Sequence, residues 1–288
     1  MIISASRRTD IPAFFMRWFM HCVQQGEVHV QNPFNAKQVR CVSLKPEDVD
    51  VLVFWTRDAR NMLAYTAELE NMGFRFYVHY TLTGYPSVLE PHVPGLDTSL
   101  ETFHALSGLL GPGRVIWRYD PVLVTSLTPI AEHKRIFKLI VENLAGRTKR
   151  VVVSFADFYT KTRRNLAKIP TLSWEEDIPQ EDIMELVGFF VSVAKDYDLD
   201  ISSCAEPLVS TSSGIRKGAC IDATIIREEF GILTEMPKDK NQRKGCLCLR
   251  SVDIGVYNTC AFGCAYCYAT VSPAVARENR KKHFLIDT

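Results

Sequence analysis

The sequence predicts an α/β fold: a full or partial (β/α) TIM-type barrel of parallel strands. Three observations predict it. Apolar runs of strand length alternate with helix-length segments, an order that builds a parallel sheet through right-handed crossovers. Val49 to Thr56 is almost continuously apolar, as a strand buried on both faces is. Polar or ionisable groups recur at the C-terminal end of strand after strand, where parallel barrels carry their chemistry. The 288 residues suit one domain of this class. That domain is expected over 1–288, with a cysteine-rich segment at about 204–268. Periodicity leaves an open doubly wound sheet as the alternative.

The elements follow in order. Met1 to Ser6 is β-rich and apolar, a first strand. Thr9 or Asp10 caps a helix with Pro12 in its first turn. Ile11, Phe14, Phe15, Trp18, Phe19, Cys22 and Val23 form its apolar ladder, and Gly26 closes it. Cys22 lies on that stripe and reads as core. Val28 to Val30 and Val39 to Leu44 read as a hairpin around Asn32-Pro33-Phe34-Asn35, with Cys41 packed inside it. Strands are expected at Val49 to Thr56, Phe74 to Thr83, Arg114 to Tyr119, Arg150 to Ala156, Leu199 to Cys204 and Val252 to Tyr257. Helices are expected at Arg60 to Met72, Leu100 to Leu110, Pro129 to Leu144 and Glu181 to Tyr197. Tyr159 to Pro179 reads as a polar loop, a candidate lid.

Apolar residues make up 47% of the chain, ample for a core, and the formal net charge is +1. This balance offers no electrostatic case for nucleic acid; a local basic face is the feature that would revive one. No apolar run approaches the roughly 18 residues of a membrane span. No apolar signal-peptide region follows Met1. A cytoplasmic protein with no membrane partner is the expectation. Nine cysteines in a reducing compartment tend to bind metal or do redox work.

Three of those cysteines, Cys260, Cys264 and Cys267, stand at C-x3-C-x2-C spacing. One loop at this spacing can wrap a single metal centre, and Gly263 allows the tight turn. A cubane takes four thiolates, so three leave one iron for a remote cysteine or a non-protein ligand. A zinc knot or an electron-transfer cluster are the other readings. Cys260, Cys264, Tyr266 and Cys267 resemble the C-x3-C-x-aromatic-C signature of radical S-adenosylmethionine (SAM) enzymes. That resemblance implies a 4Fe–4S cluster whose open iron binds SAM, a reducing electron donor, and a 5′-deoxyadenosyl radical acting on a substrate that the sequence does not name. The superfamily carries this motif near the start of its barrel. Here it lies near the end, so the resemblance implies a permuted barrel whose first strand comes from the C-terminus. The whole chain also resembles a family of uncharacterised prokaryotic proteins that open with I-S-x-S-R-R-T-D-I-P-A, here Ile3 to Ala13, and end with this cysteine loop.

The strand ends supply candidate partners. Arg7, Asp10, Arg118 and Asp120 are the candidate catalytic groups. Tyr266, Ser154 and Glu206 are the candidate cofactor contacts. A SAM carboxylate suits an arginine fork, and ribose hydroxyls suit carboxylates or serine. His79 lies among aromatics and reads as a hydrogen-bonded core histidine. Cys204, Cys220, Cys246 and Cys248 remain as a second set. Four thiolates suit a second iron–sulfur cluster or a closed zinc site. Alternatively, one of them closes the loop cluster. The rival functions are a non-catalytic iron–sulfur electron carrier or redox sensor, and a nucleic-acid-modifying or lesion-repair radical enzyme.

Overall fold

Side chains alternate between the two faces of a strand, and in this chain that alternation separates core from site. The computed structural model describes residues 1–206, 214–243 and 245–283. Its strands are β1 (Ile2–Ala5), β2 (Glu27–Asn32), β3 (Asn35–Ser43), β4 (Val51–Thr56), β5 (Phe76–Thr81), β6 (Val115–Val122), β7 (Arg150–Phe155), β8 (Asp200–Cys204), β9 (Arg216–Gly218) and β10 (Val252–Asp253). Eight of them form one sheet in the order β10-β1-β4-β5-β6-β7-β8-β9. Every pairing in it is parallel. β2 and β3 form a separate antiparallel hairpin.

On one face, Ile3, Leu52, Phe54, Phe76, Val78, Trp117, Tyr119, Val151 and Val153 join the main core. The helices α1 (Ile11–Phe14), α2 (Met16–Gln25), α5 (Leu96–Leu110), α6 (Ile130–Leu144) and α8 (Gln180–Asp196) cover that face. Between them in sequence come the short α3 (Arg60–Leu63), α4 (Thr66–Asn71) and α7 (Thr160–Leu166). The intervening strand positions Ile2, Val51, Val53, Tyr77, Ile116 and Val152 belong to a second cluster. It is completed by Ile225 and Ile226 of α9 (Ala223–Phe230) and by Cys204, Cys220, Cys246 and Cys248. The last helix is α10 (Pro273–His283). None of the helices among the described residues is long and apolar enough to cross a membrane.

Several expectations are corrected. The fold is α/β with a parallel sheet, but among the described residues no pairing joins the edge strands β10 and β9, so a closed barrel is not seen. The first helix is two. Phe15 leaves helical geometry at φ −135°, ψ 20°. This break lets Phe14 pack against Phe262, rings tilted by 54° with centroids 4.6 Å apart, while Phe15, Phe19 and Val23 stay in the core. The 60–72 helix also divides. The 159–179 loop contains α7, pinned by buried Thr162 and Leu166. Cys41 is exposed. The hairpin register pairs Val28 with Val42 and His29 with Cys41. The valines are buried, so the period of two sends the cysteine outward.

Candidate functional site: a cavity between two cysteine sets

The second face of the sheet begins apolar and ends polar. Trp55, Thr81, Arg118, Asp120, Ser154 and Cys204 lie toward the C-terminal ends of their strands and line a cavity of 450 Å³. Much of the remaining wall comes from residues 6–10 and 241–243, from Cys220, Cys246 and Cys248, and from the loop between Tyr257 and Ala269. All seven cysteines of the two sets line this one cavity.

The C-terminal segment is fastened to the N-terminal one through Asp253. Its carboxylate accepts hydrogen bonds from the Ser4 hydroxyl (2.8 Å), the Ser6 hydroxyl (2.7 Å), the Arg7 amide (2.8 Å) and the Gly255 amide (3.0 Å). The expected strand Val252 to Tyr257 therefore pairs only as far as Asp253. The approach is close at Gly255, where an added Cβ would stand 1.9 Å from Ser6 Oγ. Gly255→Ala is expected to cost about 1–3 kcal/mol by overpacking, read as a lower thermal midpoint. A wild-type midpoint would show that Ser6 can move aside.

The loop bearing Cys260, Cys264 and Cys267 turns at Gly263, whose φ of +72° suits glycine. Backbone bonds hold it to the segment after β5: Ala265 N–H to Leu89 O (2.9 Å) and His92 N–H to Phe262 O (3.2 Å). Tyr266 is the side-chain anchor. Its hydroxyl accepts from Arg57 Nη2 at 2.6 Å and donates to Glu90. Glu90 Oε1 also accepts from Arg57 Nη1 (2.7 Å) and the Thr83 hydroxyl (2.8 Å). Burial pushes the Cys264 thiol up to about 12, so a coordinated metal would be what draws its proton off.

Cys204, Cys220, Cys246 and Cys248 are all buried and come together as a chain of neighbours. The Cys204 and Cys220 sulfurs are 3.4 Å apart. Cys248 Sγ accepts the Cys220 N–H at 3.2 Å and the Ile221 N–H at 3.5 Å. A hydrogen bond from Cys248 lowers the Cys246 thiol to about 7. Arg118 Nη1 donates to Cys220 Sγ at 2.7 Å. Only Glu27, His29 and Cys41, exposed on the hairpin, bring three ligand atoms within 4.8 Å of one another among the described residues.

The rim candidates take distinct places. Arg7 lies over Trp55 at 4.9 Å, and its Nη2 is buried without a hydrogen-bond partner. Asp10 caps α1 through Ala13 N–H (2.9 Å) and ties β4 through the Thr56 hydroxyl (2.9 Å) and Arg57 N–H (2.7 Å). Burial pushes its carboxyl up to about 7. Arg118 pairs with Asp120, whose other oxygen accepts the Ser154 hydroxyl. Glu206 is outside the cavity wall. Its Oε1 accepts the Phe155 N–H at 2.9 Å, and burial raises its carboxyl to about 7. His79 is fully buried, with Nε2 2.7 Å from the Cys220 carbonyl. Burial lowers its ring to about 3, so it is neutral.

Asp253, Glu90 and Arg57 carry roles here that the sequence pattern does not point to. Asp253 opens the cysteine stretch and follows an apolar residue on a short strand, which is a weak signal. Glu90 sits in an irregular segment and carries none.

No curated protein matches the chain. Among solved structures, a candidate alpha-L-fucosidase from Bacteroides thetaiotaomicron is similar over 84% of each chain, at 9% identity and a TM-score of 0.29; a likeness this slight carries no argument. A family model matches residues 2–269, which takes in β1, the whole parallel sheet and both cysteine sets: the chain belongs to the family described as a domain of unknown function, DUF1848.

Proposed function

We propose that this chain is an iron–sulfur enzyme of the radical SAM type, with a cluster on Cys260, Cys264 and Cys267 and a second centre on Cys204, Cys220, Cys246 and Cys248. The observation that carries it is the single cavity walled by both cysteine sets and by Arg7, Asp10, Arg118, Asp120 and Ser154. An electron carrier needs thiolates but no polar chamber beside them.

The donor set is thiolate throughout, which suits an iron–sulfur cluster or zinc. In the second set Cys204 and Cys220 stand 3.4 Å apart, near the roughly 3.8 Å edge of a zinc tetrahedron with bonds of about 2.3 Å. The cluster reading rests on the neighbouring loop, whose C-x3-C-x-aromatic-C cysteines line the same cavity. The second set satisfies four ligands without borrowing from the loop, which supports an open iron at the loop. The order β10-β1-β4 also supports a permuted partial barrel, since the C-terminal strand stands before the N-terminal one.

When bound, a 4Fe–4S cluster with SAM supplies reductive cleavage to methionine and a 5′-deoxyadenosyl radical. The chain's own residues hold and shield that chemistry. Tyr266, Arg57 and Glu90 fix the loop. Asp10 holds the entry to α1 against the end of β4. Arg7 has a buried donor free for an anionic group. Ser154 and Asp120 give the wall hydroxyl and carboxylate oxygens.

Anaerobic reconstitution followed by electron paramagnetic resonance tests this reading. SAM is expected to change the spectrum of the reduced loop cluster, and incubation with reductant is expected to release 5′-deoxyadenosine. Cys267→Ala should do neither. A fully loaded protein with an unchanged spectrum and no nucleoside would be an electron carrier.

A further inference from the structure

Arg118 is placed differently from a SAM-binding fork. It projects from β6 among the second-set cysteines and is 6% exposed. A guanidinium serving only a carboxylate would offer both terminal nitrogens to it as a fork. Arg118 divides them: Nη1 donates to Cys220 Sγ at 2.7 Å and Nη2 to Asp120. Asp120 is in turn held by the Ser154 hydroxyl. Both arms of the guanidinium are therefore committed, one of them to sulfur.

We propose that Arg118, restrained by Asp120, sets the reduction potential of the second centre. This rests on the reading that the four cysteines hold an iron–sulfur cluster. Reduction adds an electron to the cluster. A cation and an N–H···S hydrogen bond at a ligand sulfur stabilise the reduced form and raise the potential. Asp120 acts in the opposite sense. Because both groups are largely withdrawn from solvent, salt screens them little. A different sulfur of the set, Cys248 Sγ, receives the Cys220 and Ile221 amides, and the orphaned Nη2 of Arg7 lies buried in the same wall. Arg8, Asp10 and Arg243, the last paired with Asp157, are the further charges lining the cavity, and Asp253 borders it through the Arg7 amide. The loop centre has its own cation, Arg57, already neutralised by Glu90.

The test is a mediator-based potentiometric titration of the loaded full-length protein, followed by electron paramagnetic resonance. The second centre's signal is first identified as the one lost, with its iron, in Cys246→Ser/Cys248→Ser. Arg118→Met is expected to move that centre's midpoint to more negative potential, and Asp120→Asn to more positive potential. The loop centre should stay in place in both. Opposite shifts support the proposal, because general structural damage gives no reason for opposite signs. An unmoved midpoint, or shifts of one sign, overturn it. If Arg118→Met does not load the second centre, Asp120→Asn decides alone: a positive shift supports the proposal and no shift overturns it. If Cys246→Ser/Cys248→Ser keeps full iron and every signal, the four-cysteine centre itself fails and the proposal falls with it.

Discussion

Cys264→Ala is expected to strip the loop of its metal centre and take about half of the chain's iron with it, if each set holds one cubane. Three thiolates are the fewest that hold a cubane with an open iron, so the loop has no spare ligand. The four second-set cysteines are gathered on Cys220 and Cys248, and their sulfurs are committed there. Cys264 is also buried against its own loop, so water replaces it poorly as a ligand. Iron per chain and the visible cluster absorbance are the measurements. Cys41→Ser is the control. That cysteine is exposed on the hairpin, outside the cavity wall, and its loss should leave iron unchanged. Full iron in Cys264→Ala would end the assignment of the loop as a cluster site.

What could be read from the sequence was what the chain specifies locally. The loop cysteines stand within eight positions, and β4 declares itself by an unbroken apolar run. The strand-end polar residues follow from a period of two laid on strands of known direction, which is why Arg118, Asp120 and Ser154 do line the cavity. The four cysteines left over from core and loop, Cys204, Cys220, Cys246 and Cys248, lie together in one cluster. What could not be read was long-range or a matter of register. Asp253 reaches Ser4 and Ser6 across nearly the whole chain. The outward place of Cys41 is a matter of hairpin register, where one residue decides inside from outside and no local composition fixes it. The non-helical turn at Phe15 goes with the packing of Phe14 on Phe262, a partner that helix periodicity cannot see. Glu206 sits at a strand end like Ser154, yet it stands outside the cavity wall with Oε1 on the Phe155 amide. Closure of the sheet depends on the edges β9 and β10, which are three and two residues long and too short for any periodic signal.

The largest loss of stability is expected from Glu90→Ala. Glu90 is 4% exposed and receives Arg57, Thr83 and Tyr266 on one carboxylate oxygen. Removing it leaves the Arg57 guanidinium, itself 13% exposed, without a counter-charge. Breaking a buried pair from one side costs about 3–5 kcal/mol, against a total stability of about 5–15 kcal/mol for a typical protein. The thermal midpoint of the metal-free protein should therefore fall by several degrees. Two further variants separate lost charge balance from lost packing. Tyr266→Phe removes one hydrogen bond and leaves the ion pair, so it should cost only about 1 kcal/mol. Arg57→Met combined with Glu90→Ala removes both charges and should recover part of the single-variant loss, since an apolar replacement for a buried pair is often close to neutral. The loop should also load less iron in Glu90→Ala than in Tyr266→Phe, because both partners of the Tyr266 hydroxyl, Glu90 and the Arg57 it neutralises, are disturbed at once. A Glu90→Ala protein as stable as wild type, or a double variant no better than the single one, would mean that Arg57 finds water and that the backbone bonds of Leu89 and Phe262 hold the loop without it.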